Sequence, residues 1–264
     1  MRFLRLTLVC LFIITFCFPT NAFFEQSEVG ARFLALGGAG IALDGDVYSQ
    51  CWNPASIHSS ERQIGFSYSE LYGVGIQFSY YGFIVPTEKI TFGGYKIALK
   101  DPYFDEIIDF SENTYALVTS FSPHPKLSLG VSGKWMTLRT IENIEGFTVN
   151  VGMQYLLSDS LRVSVNSENL IGTFNEAERL VDSRTTIGIV INTSDSLSIV
   201  ADYNDNVFRF GTEKSVGNLT LRAGYYSGVV SAGLGVTSKR IVTDYAFTPG
   251  FVGNEHRIAF RFVF

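Results

Sequence analysis

The residue types that carry out covalent or metal chemistry are scarce in this chain. Its three histidines, His58, His124 and His256, are far apart in sequence, and none has the spacing of a metal-binding motif. No Gly-x-Ser-x-Gly sequence, which forms the nucleophile elbow of α/β-hydrolases, is present. The glycine-rich run at 37–40 lacks the Lys-Ser/Thr pair of a phosphate-binding loop. We therefore expect no enzyme activity, no metal and no cofactor.

Eight charged residues form a more informative set, because each is predicted to share one face of a β-strand with small polar residues. They are Lys134, Arg162, Asp202, Arg209, Arg222, Asp244, Arg257 and Arg261. Charges on a common inner face either pair with one another and hold the structure together, or select a ligand. Both interpretations stay open at this point. We predict that Asp244 pairs with Arg257 or Arg261, which lie on an adjacent strand.

The strands that position these charges are predicted from a two-residue hydrophobic period, which runs from about Gln63 to the end of the chain. The stretch 147–155, for example, alternates large apolar side chains with Thr, Asn, Gly and Gln. Segments of this kind begin near residues 63, 74, 89, 113, 126, 146, 160, 184, 196, 206, 218, 229, 240 and 255. A tilted strand of about ten residues spans the roughly 25 Å apolar band of an outer-membrane barrel.

The composition favours a barrel in lipid over a soluble sheet. Only 17% of the residues are charged, while 14% are aromatic. The polar face of the strands is mostly Gly, Ser, Thr and Asn, which suits a crowded lumen better than a water-facing surface. We predict an all-β fold, a transmembrane antiparallel β-barrel of about 14 strands with an N-terminal luminal plug; the alternative is a secreted soluble β-protein. With 25 acidic and 20 basic residues, the chain is not a basic nucleic-acid-binding protein.

The connections between the predicted strands differ in length between the two ends of the barrel. Every second connection is a short turn, whereas the long connections, such as 101–113 and 169–183, all fall at the other end. Outer-membrane barrels have short periplasmic turns and longer outer loops. The pattern therefore predicts that both chain termini of the barrel lie on the periplasmic side.

The first 22 residues have the features of a secretory signal peptide, with cleavage after Ala22. A short basic start is followed by an apolar run at 6–18, which is too short to span a bilayer as a helix, since that requires about 20 residues. Removal of this segment also removes Cys10 and Cys17, so Cys51 is the one cysteine that remains and it cannot form an internal disulfide. We expect it to be a buried small side chain.

Residues 23–62 do not alternate, and we predict that they form a hatch or plug inside the barrel of residues 63–264. A fourteen-stranded barrel is wider than the roughly eight-stranded barrels that fill their own interior, so its lumen needs a filling. Within the hatch, glycines suited to close packing precede a turn ahead of the first strand. The residues of this motif are Gly37, Gly38, Trp52, Asn53, Pro54 and Ala55.

Two further segments have predicted roles. The connection at 101–112 has five acidic and five large apolar residues and no basic residue, which is typical of a lid over the mouth or of a partner-binding surface. Its apolar residues are Tyr103, Phe104, Ile107, Ile108 and Phe110. At the C-terminus, Phe260, Phe262 and Phe264 share one face, and we interpret them as the signal read by the outer-membrane assembly machinery.

Several motifs resemble, in order along the chain, those of the PorV/PorQ family within the FadL-like group of outer-membrane barrels. They lie at 30–39, 52–55, 167–172, 211–213, 221–225, 232–235, 244–247 and 256–264. The resemblance implies a fourteen-stranded barrel with a luminal N-terminal hatch. It also implies that the Asn-Pro-Ala turn at 53–55 lies near the passage.

Two functions follow from this resemblance. PorV/PorQ-like members assist type IX secretion at the cell surface, which implies secretion-system components or exported proteins as partners. FadL-like members admit hydrophobic small molecules, which implies a hydrophobic ligand. The first is our main expectation and the second is the alternative; both imply an outer-membrane protein surrounded by outer-membrane lipid.

Overall fold

The computed structural model describes residues 29–58, 61–101, 110–140, 143–175, 181–204, 207–250 and 253–264. Two short α-helices, α1 (Ala31–Ala35) and α2 (Ser49–Trp52), and a 3-10 helix (Pro54–Ile57) precede the strands. The strands are β1 (Gln63–Leu71), β2 (Ile76–Pro86), β3 (Ile90–Lys100), β4 (Ser111–His124), β5 (Leu127–Arg139), β6 (Asn143–Ser158), β7 (Leu161–Phe174), β8 (Arg184–Ser194), β9 (Leu197–Asn204), β10 (Val207–Val216), β11 (Leu219–Tyr226), β12 (Val229–Ser238), β13 (Ile241–Thr248) and β14 (Glu255–Val263).

These fourteen strands form a closed barrel in which each strand pairs antiparallel with its neighbours in sequence. The first and last strands close the barrel, with Gln63 opposite Val263 and Glu70 opposite His256. The predicted all-β fold, an antiparallel barrel of 14 strands, is confirmed. Every strand begins within three residues of its predicted start; the largest difference is β6, which begins at Asn143 instead of near Gly146. The two-residue period locates the strands because each has one buried and one exposed face.

Side chains alternate between the two faces of the wall as the pattern predicted. On β6, Phe147 and Val151 are 42% and 43% exposed on the outside, whereas Thr148 and Asn150 are buried inside. On this strand the outward face is therefore apolar and the inward face is polar. This is the inverse of a soluble globular protein, and it is the arrangement of transmembrane β-barrels.

The wall is uneven in height. Strand β6 has 16 residues, while β9, β11 and β13 have 8 each. The average of about eleven residues per strand hides this difference. The longest strands, β4 to β7, form one side of the barrel.

The connections also follow the predicted asymmetry. At one end, hereafter the short-turn end, the strands are joined by turns such as 159–160, 217–218 and 239–240. At the other end, hereafter the long-connection end, β3 ends at Lys100 before β4 begins at Ser111, and β7 ends at Phe174 before β8 begins at Arg184.

Some predicted features lie outside the described residues. These are the signal peptide at 1–22 with its cleavage site, the first six residues of the predicted hatch, and Tyr103, Phe104, Ile107 and Ile108. Phe110 is described and packs against Met136, Leu138 and Val181. Within the described ranges, no helix has the length and apolar character needed to cross a membrane.

Candidate functional site

The N-terminal segment, residues 29–58, lies against the inner face of the barrel. Helix α1 packs on β11 to β14, and the 3-10 helix packs on β3 to β6. Its side chains form most of the main hydrophobic core, in which Phe33, Leu36 and Ile57 are fully buried. The core of this protein is therefore inside the barrel, between the segment and the wall.

Glycines of the wall make room for the chain turn after α1. A Cβ atom at Gly224 would collide with the backbone of Leu36 and Gly37, and one at Gly211 would collide with Leu36. Gly37 itself has a φ of 69°, in the left-handed region that favours glycine. The predicted close packing of Gly37 thus has a partner in the wall, which a single sequence does not identify.

A second pair of wall glycines receives the turn at 53–55. A Cβ at Gly130 would collide with the backbone of Pro54, and one at Gly152 would collide with the side chain of Asn53. The turn is held by Asn53, whose side-chain oxygen accepts a hydrogen bond from the Ala55 amide at 2.9 Å. The Asn53 side-chain nitrogen donates to the Ile41 carbonyl at 3.1 Å.

Trp52 connects the two halves of the segment. Its indole nitrogen donates to the Val29 carbonyl at 3.0 Å, and its ring stacks on Phe33 with 5.1 Å between centroids. Asn166 on β7 donates to the Trp52 carbonyl at 2.7 Å. The residues predicted for the hatch motif are thus together in the structure, on the inner side of the wall.

A network of alternating charges joins the segment to the wall. Arg32 on α1 donates two hydrogen bonds to Glu213 on β10, at 3.0 and 2.5 Å. Glu213 also accepts from Arg222 at 3.1 Å, and Arg222 donates to Asp244 at 2.7 Å. The members of the network are Arg32, Asp46, Glu213, Arg222, Asp244 and Arg261.

Asp46 extends this network on the segment side. It is fully buried and lies 3.5 Å from Arg32 and 3.6 Å from Arg261. The network has three acidic and three basic residues, so its formal charge is balanced. Sequence reasoning did not select Arg32, Asp46 or Glu213; of these, only Glu213 occupies an inward position in the alternating pattern.

The predicted pairing of Asp244 with Arg257 or Arg261 is wrong. Asp244 pairs with Arg222, two strands away, because the intervening strand β12 has glycine at 233 and 235. A Cβ at Gly235 would collide with the Asp244 carboxylate. Arg257 instead donates to Glu255 at 2.6 Å and lies over the Phe78 ring at 4.4 Å.

The other predicted inward charges divide into two groups. Asp202 and Arg162 contact the segment: Asp202 accepts from the amides of Gly40 and Ile41, and Arg162 lies 2.6 Å from Asp44. Arg209 contacts the wall instead, and Lys134 lies within electrostatic range of both the wall and Cys51 of the segment. Lys134 is buried within electrostatic range of Glu168, and Arg209 donates to Asn204 at 2.5 Å and lies over the Tyr226 ring at 4.6 Å.

Two side chains of the segment have shifted proton affinities. Burial alone would lower the pKa of Arg32, but the neighbouring carboxylates of Glu213 and Asp46 outweigh it and raise that pKa above its usual range. Burial raises the pKa of the Cys51 thiol well above its ordinary value. Arg32 is therefore always a cation, and Cys51 is a neutral buried thiol. In the described part of the chain, no three His, Cys, Asp or Glu side chains are grouped to hold a metal ion.

A cavity of about 640 Å³, hereafter the vestibule, opens above the segment at the long-connection end of the barrel. Its floor is formed by Leu34, Gly38, Ile41 and Trp52. One side combines the apolar residues Leu71, Ile76, Leu99 and Phe110 with the acidic residues Glu112 and Glu255, and the opposite side is polar, with Glu168, Arg184, Thr186, Asp202, Asn204 and Arg209. Ligand pockets for small molecules have volumes of about 300–1,000 Å³ and combine apolar lining with a few polar groups.

The three C-terminal phenylalanines lie on the outer face near the short-turn end. Phe262 and Phe264 are 43% and 61% exposed, and Phe260 is opposite Phe66 of β1. The Phe264 amide donates to the Arg62 carbonyl at 2.9 Å, which joins the chain end to the start of the barrel.

Comparisons with known proteins identify the fold. No protein-family model matches the chain, and no curated protein sequence matches it. Among solved structures, the toluene transporter TodX of Pseudomonas putida is similar, with 12% identity, 90% of this chain and 97% of that chain covered, and a TM-score of 0.59. A Pseudomonas aeruginosa FadL homologue has 11% identity, covers 92% of this chain and 100% of its own, and gives a TM-score of 0.66.

The fold is that of the FadL-like outer-membrane barrels. At 11–12% identity this likeness concerns the backbone architecture and not the ligand. In this FadL-like fold, the vestibule and the N-terminal segment beneath it form the candidate functional site.

Proposed function

We propose that the chain is an outer-membrane protein that reaches the membrane after signal-peptide export through the periplasm. The support is the outer surface, where large apolar side chains face outward around the barrel. Leu117, Ile171 and Phe208 are 73%, 65% and 67% exposed. Lipid around the barrel removes this apolar surface from water, whereas a soluble barrel would leave it in contact with solvent.

Within that membrane, the function we propose is a channel for the uptake of hydrophobic small molecules. The observation that carries the proposal is the vestibule, a concave site at the long-connection end whose lining includes Leu34, Trp52, Leu71, Ile76, Leu99 and Phe110. The similar solved structures include a toluene transporter and a monoaromatic hydrocarbon channel, in agreement with this class of solute. No catalytic step is part of the proposal.

The geometry suggests how such a channel works. A hydrophobic solute enters at the long-connection end and leaves water by binding against Leu71, Leu99 and Trp52. The segment beneath blocks further passage, so transport requires that the segment move.

An uptake measurement with a matched pair of variants tests this function. Cells that express the wild-type chain should take up labelled toluene faster than cells with the empty vector. Leu71→Lys, which places a charge beside the apolar residues of the vestibule, should remove most of this gain, and Leu71→Met should retain it because volume and polarity are kept. Wild-type uptake equal to the empty vector, with the barrel present in the outer membrane, would exclude the proposed function.

The role in type IX secretion stays a second candidate, which rests on the resemblance of the sequence motifs to the PorV/PorQ family. Affinity purification from native outer membrane, with protein and lipid mass spectrometry on one sample, separates the two candidates. Secretion components or exported proteins in the eluate would favour secretion, and a hydrophobic ligand would favour uptake.

The loop at 101–112 gives a related test. Phe110 lines the vestibule, which favours the lid interpretation over the partner surface. Deletion of residues 103–110 should therefore change the rate of toluene entry. A deletion variant with unchanged entry that no longer captures a partner protein would support the partner surface instead.

A further inference from the structure

The outer surface of β1 to β6 has an apolar depression of about 950 Å³. Its floor includes two outward-facing glycines, Gly94 on β3 and Gly133 on β5, which are covered by the rings of Phe83 and Phe147. Its sides are formed by Ile64, Phe66, Tyr81, Phe83, Tyr115, Leu117, Trp135 and Phe147. Most of a transmembrane wall is a continuous apolar band, so a recess of this size on its lipid side can hold an acyl chain.

A row of mostly aromatic residues crosses the side of this depression that is nearer the long-connection end. Tyr81, Lys96, Tyr115, Trp135 and Phe147 are directly paired on five consecutive strands, β2 to β6. Lys96 is the single cation of the row, and its Nζ lies 5.3 Å from the centre of the Tyr115 ring. An ammonium group in an aromatic row on the lipid side is stabilised by extending toward the polar interface or toward an anion.

A second, polar depression of about 410 Å³ begins at Lys96 and Tyr115 and continues to the long-connection end. Lys100 on β3 and Arg139 on β5 are both paired with Ser111 of β4, so the two cations flank one strand. Two strand spacings place their backbones about 10 Å apart. Lys96 lies four residues below Lys100, about 13 Å along the strand.

The charge of this polar depression is complementary to an anion. Among the described residues that line it, three are cations, Lys96, Lys100 and Arg139, and one is acidic, Glu145. Asn113 and Thr137 add hydrogen-bonding side chains between them. Arg and Lys side chains at a membrane surface are the residues that recognise lipid phosphates.

We propose that the two depressions together bind one net-anionic phosphorylated lipid of the leaflet at the long-connection end. Its phosphate lies between Lys96, Lys100 and Arg139, and one acyl chain lies in the apolar depression against the rings of Phe83 and Phe147. This inference rests on the proposed membrane location, but it concerns the outer wall and is independent of what passes through the lumen.

Native mass spectrometry of the purified full-length barrel tests the site. The detergent-solubilised protein is titrated with phosphatidylglycerol and, separately, with phosphatidylcholine of the same acyl chains. The wild type should retain one phosphatidylglycerol in preference to phosphatidylcholine. The triple variant K96Q/K100Q/R139Q should weaken this binding on the order of 100-fold, at about fivefold for each cation removed.

Each test variant has a control that makes the same kind of change elsewhere on the barrel. The variant K89Q/K126Q/K214Q removes three cations near the short-turn end and should bind as the wild type does. Leu117→Ala, which removes an exposed apolar side of the depression, should also weaken binding, whereas Leu221→Ala on the outer face of β11 should not.

The outcomes distinguish failure of the lipid site from failure of the proposed membrane location. Equal retention of the two lipids by the wild type, or equal losses in the two triple variants, would overturn the lipid site. A barrel that fails to enter membranes or detergent micelles at all would overturn the membrane location on which the site rests.

Discussion

Replacement of Arg32 by alanine should weaken the docking of helix α1 on the wall without unfolding the barrel. Arg32 makes two hydrogen bonds to Glu213 and an ion pair with Asp46, and its side chain is only 15% exposed. Hydrogen bonds to charged groups contribute about 1.5–3 kcal/mol each, so the two bonds amount to about 3–6 kcal/mol before compensation.

The compensation is visible in the network. After the substitution Glu213 keeps Arg222 at 3.1 Å, and Asp46 keeps Arg261 at 3.6 Å, so neither carboxylate is left without a cation. We therefore expect a loss of about 2–3 kcal/mol in the docking of α1. This corresponds to about 30- to 150-fold more frequent local opening.

Hydrogen exchange measured by mass spectrometry reads this opening directly. Protection of the amides at 31–38, which include the bond from Gly38 to the Phe33 carbonyl at 2.9 Å, should fall by that factor. Protection of β10 to β13 should stay at the wild-type level. Arg209→Ala is the matched control, because Arg209 contacts Asn204 and Tyr226 on the wall. Wild-type protection of 31–38 in the Arg32 variant, or an equal loss across the strands, would refute the reasoning.

Three further substitutions or reactions have defined outcomes. Gly224→Ala should displace the turn after α1 and increase exchange there, since the new Cβ would meet backbone atoms, whereas Gly133→Ala on the outer face meets only the tip of a ring and should leave exchange unchanged. Cys51 should resist alkylation by maleimide in the native barrel at pH 8 and react fully after denaturation, because burial raises the pKa of its thiol; rapid reaction in the native state would place the segment elsewhere. Phe264→Ala should lower the amount of heat-modifiable barrel in the membrane, and wild-type amounts would contradict the assembly role.

The sequence was sufficient for the barrel because alternation is a local property of each strand. The fourteen strands and the short turns at one end could be predicted from residues that are neighbours in the chain. The unequal strand heights could not, since the ends of β4 to β7 depend on which neighbouring strand continues to pair. Local patterns set the period but not the length of pairing.

The candidate site is built from contacts between residues that are far apart in sequence, so the sequence predicts only part of it. Inward charges were recognised, but the pairing of Arg222 with Asp244 depends on glycine at 235 in the strand between them. Arg32 and Glu213 are 181 residues apart, so no spacing in the chain relates them. The seating of Gly37 against Gly224 is likewise visible only after the barrel has closed.

The measurement that tests most directly whether the vestibule binds hydrophobic molecules, the claim on which the uptake function rests, uses the fluorescence of Trp52. The chain has two tryptophans, and Trp135 faces outward, so Trp135→Phe leaves Trp52 in the vestibule floor as the single reporter. Titration of the purified barrel with bromobenzene should quench this fluorescence with saturation, and Leu71→Lys should weaken the apparent affinity while Leu71→Met preserves it. Quenching that rises linearly without saturation, equally in all three proteins, would contradict a hydrophobic binding site in the vestibule.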